Sequence, residues 1–122
     1  MTILLVEDES ALREPVRDYL TNEGYHVLDA SNGADATALA ENHAGNIDVL
    51  LTDVIMPLMN GRDLAMRVQS VKPETKVVYM SGYTDDALAF HGFPQPNAGF
   101  IQKPFTVTAL AEKVRRVLSE DR

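Results

Sequence analysis

Short apolar runs that alternate with helix-period segments constrain this chain more than any other feature. The runs are ILLV at 3–6, YHVLDA at 25–30, VLLT at 49–52, KVVYM at 76–80 and FIQ at 100–102. Each is short, partly β-branched and ended by polar or turn residues, which reads as a buried strand. The run at 25–30 is the least apolar and is expected nearest a sheet edge. Between the runs the period lengthens. Leu12, Val16, Tyr19 and Leu20 fall at i, i+4, i+7 and i+8, and Val107, Leu110, Ala111, Val114, Val117 and Leu118 form a second clear apolar stripe. An alanine-rich helix is expected from Asn32-Gly33 to about His43, and another over 63–71 with Leu64 and Val68 on one face.

Local signals punctuate these elements. Ser10 is the expected N-cap of the first helix. Pro15 predicts a late start or a slight bend there, because it removes a backbone donor. Gly24 and Gly45 are read as closing the first and second helices, Pro73 as stopping the third, and Thr106 as capping the last. Thr84 can cap a fourth helix beginning Asp85-Asp86, but Gly92, Pro94 and Pro96 break it, so it is expected to be short, irregular or mobile.

Five strands alternating with five helices require a parallel sheet covered on both faces. Right-handed crossovers leave few topologies. The expected fold is a flavodoxin-like, doubly wound (βα)5 three-layer sandwich with sheet order 2-1-3-4-5, whose switch point lies between strands 1 and 3. At 122 residues the chain reads as one domain, 1–122. It has no cysteine, so a disulfide framework, a thiolate metal site and a cysteine nucleophile are excluded. No apolar run is long enough for a membrane span and no signal-peptide pattern opens the chain, so a cytoplasmic location without membrane insertion is expected. The net charge of −7, with 18 acidic against 11 basic side chains, argues against direct nucleic-acid binding. It also means that phosphate chemistry would need a cation.

The strand ends carry the chemistry. Strand 1 ends at Glu7-Asp8, strand 3 at Asp53, strand 4 at Ser81-Gly82 and strand 5 at Lys103-Pro104. Carboxylates converging on one crevice repel unless a cation or protons intervene, and magnesium takes one or two carboxylates while keeping water. A phosphoryl group arriving there could be taken by Asp53 as nucleophile. Its spread charge would be met by the metal, by Lys103, and by the Ser81 hydroxyl with a backbone N–H near Gly82, which allows close approach. Pro104 permits a cis bond that would aim Lys103 inward.

These motifs, ILLVEDE at 3–9, LLTDVIMPLMNG at 50–61, VVYMSG at 77–82 and FIQKPF at 100–105, resemble the response-regulator receiver domain of two-component signalling. The match runs from Ile3 to about Leu118. The resemblance implies phosphorylation of Asp53 from a phosphohistidine on a histidine kinase or histidine phosphotransfer protein. It implies Mg2+ (Mn2+ can substitute) on Asp8, Asp53 and the Ile55 backbone carbonyl, with Glu7 acting through water. Ser81 becomes the switch hydroxyl and Phe100 the switch aromatic. The expected protein is a phosphoacceptor, not an enzyme, that assists its own phosphorylation and slow dephosphorylation, as a monomer or weak dimer.

Three departures stand out. The acid pair is Glu-Asp where Asp-Asp is commoner, the switch aromatic is Phe without a hydroxyl, and the fourth helix is poorly patterned. The last favours the receiver of a hybrid sensor kinase over a stand-alone regulator with a standard output face. Two rival functions are weaker. A magnesium-dependent phosphohydrolase would need a positioned general acid or substrate cap. An FMN carrier would need a donor-rich loop where Glu7-Asp8-Glu9 stands. His26, His43 and His91 share no ligand spacing, Met56, Met59, Met66 and Met80 read as gap fillers, and Arg115 and Arg116 read as a solvated helix face.

Overall fold

The computed structural model describes residues 1–56, 58–82 and 99–119. Strands β1 (Thr2–Val6), β2 (His26–Ala30), β3 (Val49–Asp53), β4 (Lys76–Ser81) and β5 (Gly99–Gln102) form one parallel sheet in the order β2-β1-β3-β4-β5. Helices α1 (Ser10–Asn22), α2 (Gly33–Asn42), α3 (Gly61–Val71) and α4 (Val107–Ser119) cover it. The fold is flavodoxin-like, as the alternation of periods predicts. The fourth helix expected from Thr84, and with it His91, lies outside the described residues. Among those residues no helix is long and apolar enough to cross a membrane.

The pleat sorts the core into two halves. Leu4, Val6, Leu50, Val77 and Tyr79 point to the face covered by α2 and α3, where they meet Ala36, Ala40, Leu64 and Val68. Ile3, Leu5, Val49, Leu51, Val78 and Met80 point to the other face and meet Val16 and Leu20 of α1 and Leu110, Val114 and Val117 of α4. Burying each large side chain contributes about 1.5–3 kcal/mol. Every residue of β3 is buried, as a central parallel strand requires, whereas β2 sits at the edge and is half-exposed.

Several local expectations change. The N-cap of α1 is Glu9, with no side-chain bond, and Ser10 is already helical. The helix begins before Pro15, not after it, because its inner face packs Val16 and Leu20 into the core. Gly24 closes α1 with φ +103, the Gly24 N–H donating to the Thr21 carbonyl and the Tyr25 N–H to that of Leu20, a Schellman motif. Helix α2 stops at an extended His43, two residues before Gly45. Helix α3 starts earlier than Asp63 because the Asn60 side chain caps it, accepting from Asp63 N at 2.8 Å. The Thr106 hydroxyl caps α4 as expected, accepting from Ala109 N at 3.0 Å.

Met56 and Met80 fill core space, but Met66 is 60% exposed on α3 and fills nothing. Arg115 is paired with Glu23 at 3.4 Å across the α1–α4 surface. The rings of His26 and His43, far apart in sequence, lie 6.0 Å apart and nearly parallel.

Candidate functional site

The alternation that builds the core also builds the site. Carried one residue past the ends of β1 and β5, the pleat that puts Ile3, Leu5, Leu51 and Ile101 toward α1 and α4 puts Glu7, Asp53 and Lys103 on that same side. At the carboxyl ends of the strands Glu7, Asp8, Glu9, Asp53, Ile55, Met80, Ser81, Gly82 and Lys103 line a cleft of about 390 Å3. It lies at the switch point between β1 and β3, where open α/β sheets place their ligands.

Lys103 bridges the acids. Its Nζ lies 2.9 Å from Glu7 Oε1 and 2.6 Å from Asp53 Oδ1. The Lys103–Pro104 peptide is cis, and the Lys103 N–H donates to the Ser81 carbonyl at 2.7 Å, tying the lysine's backbone to the end of β4. Glu7 is almost wholly buried, and its Oε2 accepts from Glu9 N at 3.2 Å. Asp8 is exposed. One carboxylate oxygen from each of Glu7, Asp8 and Asp53 lies within 4.8 Å of the others. Asp53 Oδ1 is buried and accepts no aligned hydrogen bond among the described residues, despite its contact with Lys103.

The electrostatics follow from this crowding. Burial, then the Glu7 hydrogen bond and charge, push the Asp53 carboxyl up to about 8, with Lys103 pulling the other way. Burial also raises Glu7, but hydrogen bonds from Asp53, Lys103 and the Glu9 amide outweigh it and hold Glu7 below the usual carboxylate range. Burial lowers the lysine, yet its two acidic partners leave it above its ordinary value. Without a cation, Asp53 is therefore the group that keeps a proton. An all-oxygen donor set, three close carboxylates and an under-satisfied buried oxygen fit a hard divalent cation.

Ser81 ends β4, buried at the cleft. Gly82 also lines it, and among the described residues a Cβ there would meet nothing within 4 Å. Ile55 lines the cleft with a 59% exposed side chain. Phe100 is not part of the cleft wall; it is half-buried on β5, paired in register with Tyr79 and packed against the α2–α3 half of the core.

Sequence reasoning missed two supports. A Cβ on Gly61 would collide with the Asp53 carbonyl, so only glycine lets α3 start beside the end of β3. The Asn60-Gly61 pair after the strand was the available signal. Arg13, on α1, donates from Nη1 to the Glu7 carbonyl at 2.7 Å; no motif marked it.

A basic side chain closing an acid-lined cleft over a central parallel strand makes this a flavodoxin-like α/β protein with its functional centre at the strand ends. Residues 3–115 match the family model described as "Response regulator receiver domain". The chain is 36% identical over 119 residues to Sensor kinase CckA of Brucella abortus, covering 98% of this chain but 13% of that protein. It is 32% identical over 116 residues to Response regulator receiver protein CpdR of the same organism, covering 95% of each. Among solved structures, the receiver domain from Hybrid Histidine Kinase CckA superposes with a TM-score of 0.83 at 35% identity, covering 98% of this chain and 100% of the other. Vibrio cholerae chemotaxis protein CheY4 superposes with a TM-score of 0.82 at 30% identity, covering 95% and 97%. The chain belongs to the response regulator receiver domain family and is a module of two-component signal transduction.

Proposed function

We propose that Asp53 accepts a phosphoryl group from a phosphohistidine on a histidine kinase or histidine phosphotransfer protein. The observation that carries this reading is the placing of Asp53: a buried carboxylate at the end of β3, 2.6 Å from Lys103 Nζ, with two further carboxylates in reach. With the cation held, Asp53 would give up its proton to solvent. In the transfer its carboxylate oxygen forms the new O–P bond as the N–P bond to the donor imidazole breaks, so no general acid or base is required of this chain. The Lys103 ammonium neutralises charge on the transferred oxygens, and the Ser81 hydroxyl at the cleft wall donates to another. Gly82, which lines the cleft and has no side chain of its own, lets the group come close to the backbone there.

Glu7, Asp8, Asp53 and the Ile55 backbone carbonyl are the residues that would hold Mg2+, with Mn2+ as a substitute. The ion supplies positive charge to the phosphoryl oxygens and relieves the repulsion among the acids. Once phosphorylated, Asp53 draws on Ser81, and Phe100 follows from its half-buried place on β5, biasing an equilibrium between two arrangements of the adjoining loops. The same cleft hydrolyses the acyl phosphate slowly, so the chain is a phosphoacceptor with limited self-catalysis.

The test is incubation with Mg2+ and acetyl phosphate followed by intact mass. Wild type gains one phosphoryl group, and Asp53→Asn gains none. Equal labelling of the two proteins would refute the assignment.

A further inference from the structure

We propose that Arg13 is a positioning residue that sets the acidic loop for the cation; the inference rests on the magnesium-assisted reading of the cleft. Strand β1 ends at Val6, so the Glu7 carbonyl leaves the sheet ladder at a nearly buried residue. The Arg13 guanidinium takes that carbonyl at 2.7 Å, reaching back from α1. Its Nε lies 3.3 Å from Asp29 Oδ2 on β2, so the arginine is itself anchored to the neighbouring strand. The Glu7 N–H donates to the Ala30 carbonyl at 3.2 Å, which holds the residue from its other side.

The consequence follows from peptide planarity. Fixing the Glu7 carbonyl fixes the plane of the Glu7–Asp8 peptide, and with it the direction in which Asp8 leaves the chain. Asp8 is exposed, and its carboxylate makes no hydrogen bond or ion pair among the described residues. Its direction is therefore set by the backbone on either side: the Glu7 carbonyl held by Arg13, and Glu9, whose N–H donates to Glu7 Oε2 at 3.2 Å. Yet one of its oxygens lies within 4.8 Å of oxygens from Glu7 and Asp53. Arg13 touches no reacting atom. It acts through the backbone, as outer contacts that orient metal ligands do.

The experiment compares wild type, Arg13→Met and Arg13→Lys by calorimetric titration with Mg2+ and by urea unfolding in EDTA. It also measures the Mg2+ concentration giving half-maximal labelling by acetyl phosphate. Arg13→Met keeps the apolar stem but loses both polar contacts, so its Mg2+ dissociation constant should rise about tenfold, the lower end for lost outer contacts. The half-maximal Mg2+ concentration should rise in step, the loss falling there more than on the labelling rate at saturating metal. Arg13→Lys, with one cationic head for two partners, should fall between. Should Arg13→Met not fold, the lysine variant carries the test.

Unchanged Mg2+ affinity in the folded variants, with only urea stability reduced, would overturn the proposal and leave Arg13 a simple brace between α1 and β2. Failure of wild type to bind Mg2+ would instead overturn the reading of the cleft itself. That failure is visible before any variant is made.

Discussion

Replacing Asp53 by asparagine should stabilise the metal-free protein, by an amount that grows with pH. The Asp53 carboxyl is pushed from its ordinary 3.8 to about 8, chiefly by burial and secondly by Glu7. A folded-state value raised above the unfolded one means that the folded state binds the proton more tightly. The stabilisation is therefore full below about pH 4 and is lost as pH rises to about 8. The steepest possible slope is about 1.36 kcal/mol per pH unit for one proton. Between pH 5 and 7 wild type can lose at most about 2.7 kcal/mol from this group. Glu7 and Lys103 share the charge, so a loss of about 1–2 kcal/mol is expected. The substituted side chain in Asp53→Asn has no proton to lose, and its amide can donate toward Glu7 while its carbonyl accepts from Lys103.

Urea unfolding in EDTA at several pH values reads the difference directly. The Asp53→Asn variant should gain on wild type steadily from pH 5 to 8 and level off above. Saturating Mg2+ should close the gap, since a ligand at about 100 times its dissociation constant stabilises by about 2.7 kcal/mol. A gap that stays flat with pH, or a variant less stable throughout, would show that burial does not govern this carboxylate.

Two further outcomes are expected. Gly61→Ala should destabilise by roughly 2 kcal/mol or more, as overpacking does, because the new methyl meets the Asp53 carbonyl and either α3 or the end of β3 must shift; urea midpoints with an unchanged m-value would measure it. Lys103→Met should cost about 1–2 kcal/mol at pH 8 in EDTA, discounted because the lysine side chain is 28% exposed, and less at pH 5 where Asp53 carries a proton. An equal loss at both pH values would mean that the lysine acts through packing alone.

Much of this was legible from the order of residues. Near-continuous apolar runs at 3–6, 49–52 and 76–80, set between helix-period segments, mark buried parallel strands, and the polar residues that end them put Glu7, Asp53 and Ser81 at one rim of the sheet. Period and run length are carried by any stretch of chain, so strand order and the gathering of candidate residues at the strand ends could be reasoned from Ile3 to Lys103. The turning of Glu7, Asp53 and Lys103 to one side depends instead on the register of the folded sheet. Helix ends were harder. Glu9, not Ser10, precedes α1, and the helix runs through Pro15, because burying Val16 and Leu20 outweighs one missing backbone bond. Asn60 starts α3 ahead of Asp63; the Asn60-Gly61 pair signals this in the sequence, and the closeness of Gly61 to the Asp53 carbonyl gives the reason for the glycine. Met66 faces water because α3 turns a different side to the sheet.

Arg13 belongs to neither pattern. Its partners are a carbonyl six residues back and an aspartate on a neighbouring strand, and that meeting exists only after β1, β2 and α1 have packed together. The charge on Asp53 is of the same kind. The sequence by itself placed a carboxylate at the end of a central strand; its raised pKa was decided by the tertiary structure, because desolvation and the distance to Glu7 and Lys103 are properties of the packed state.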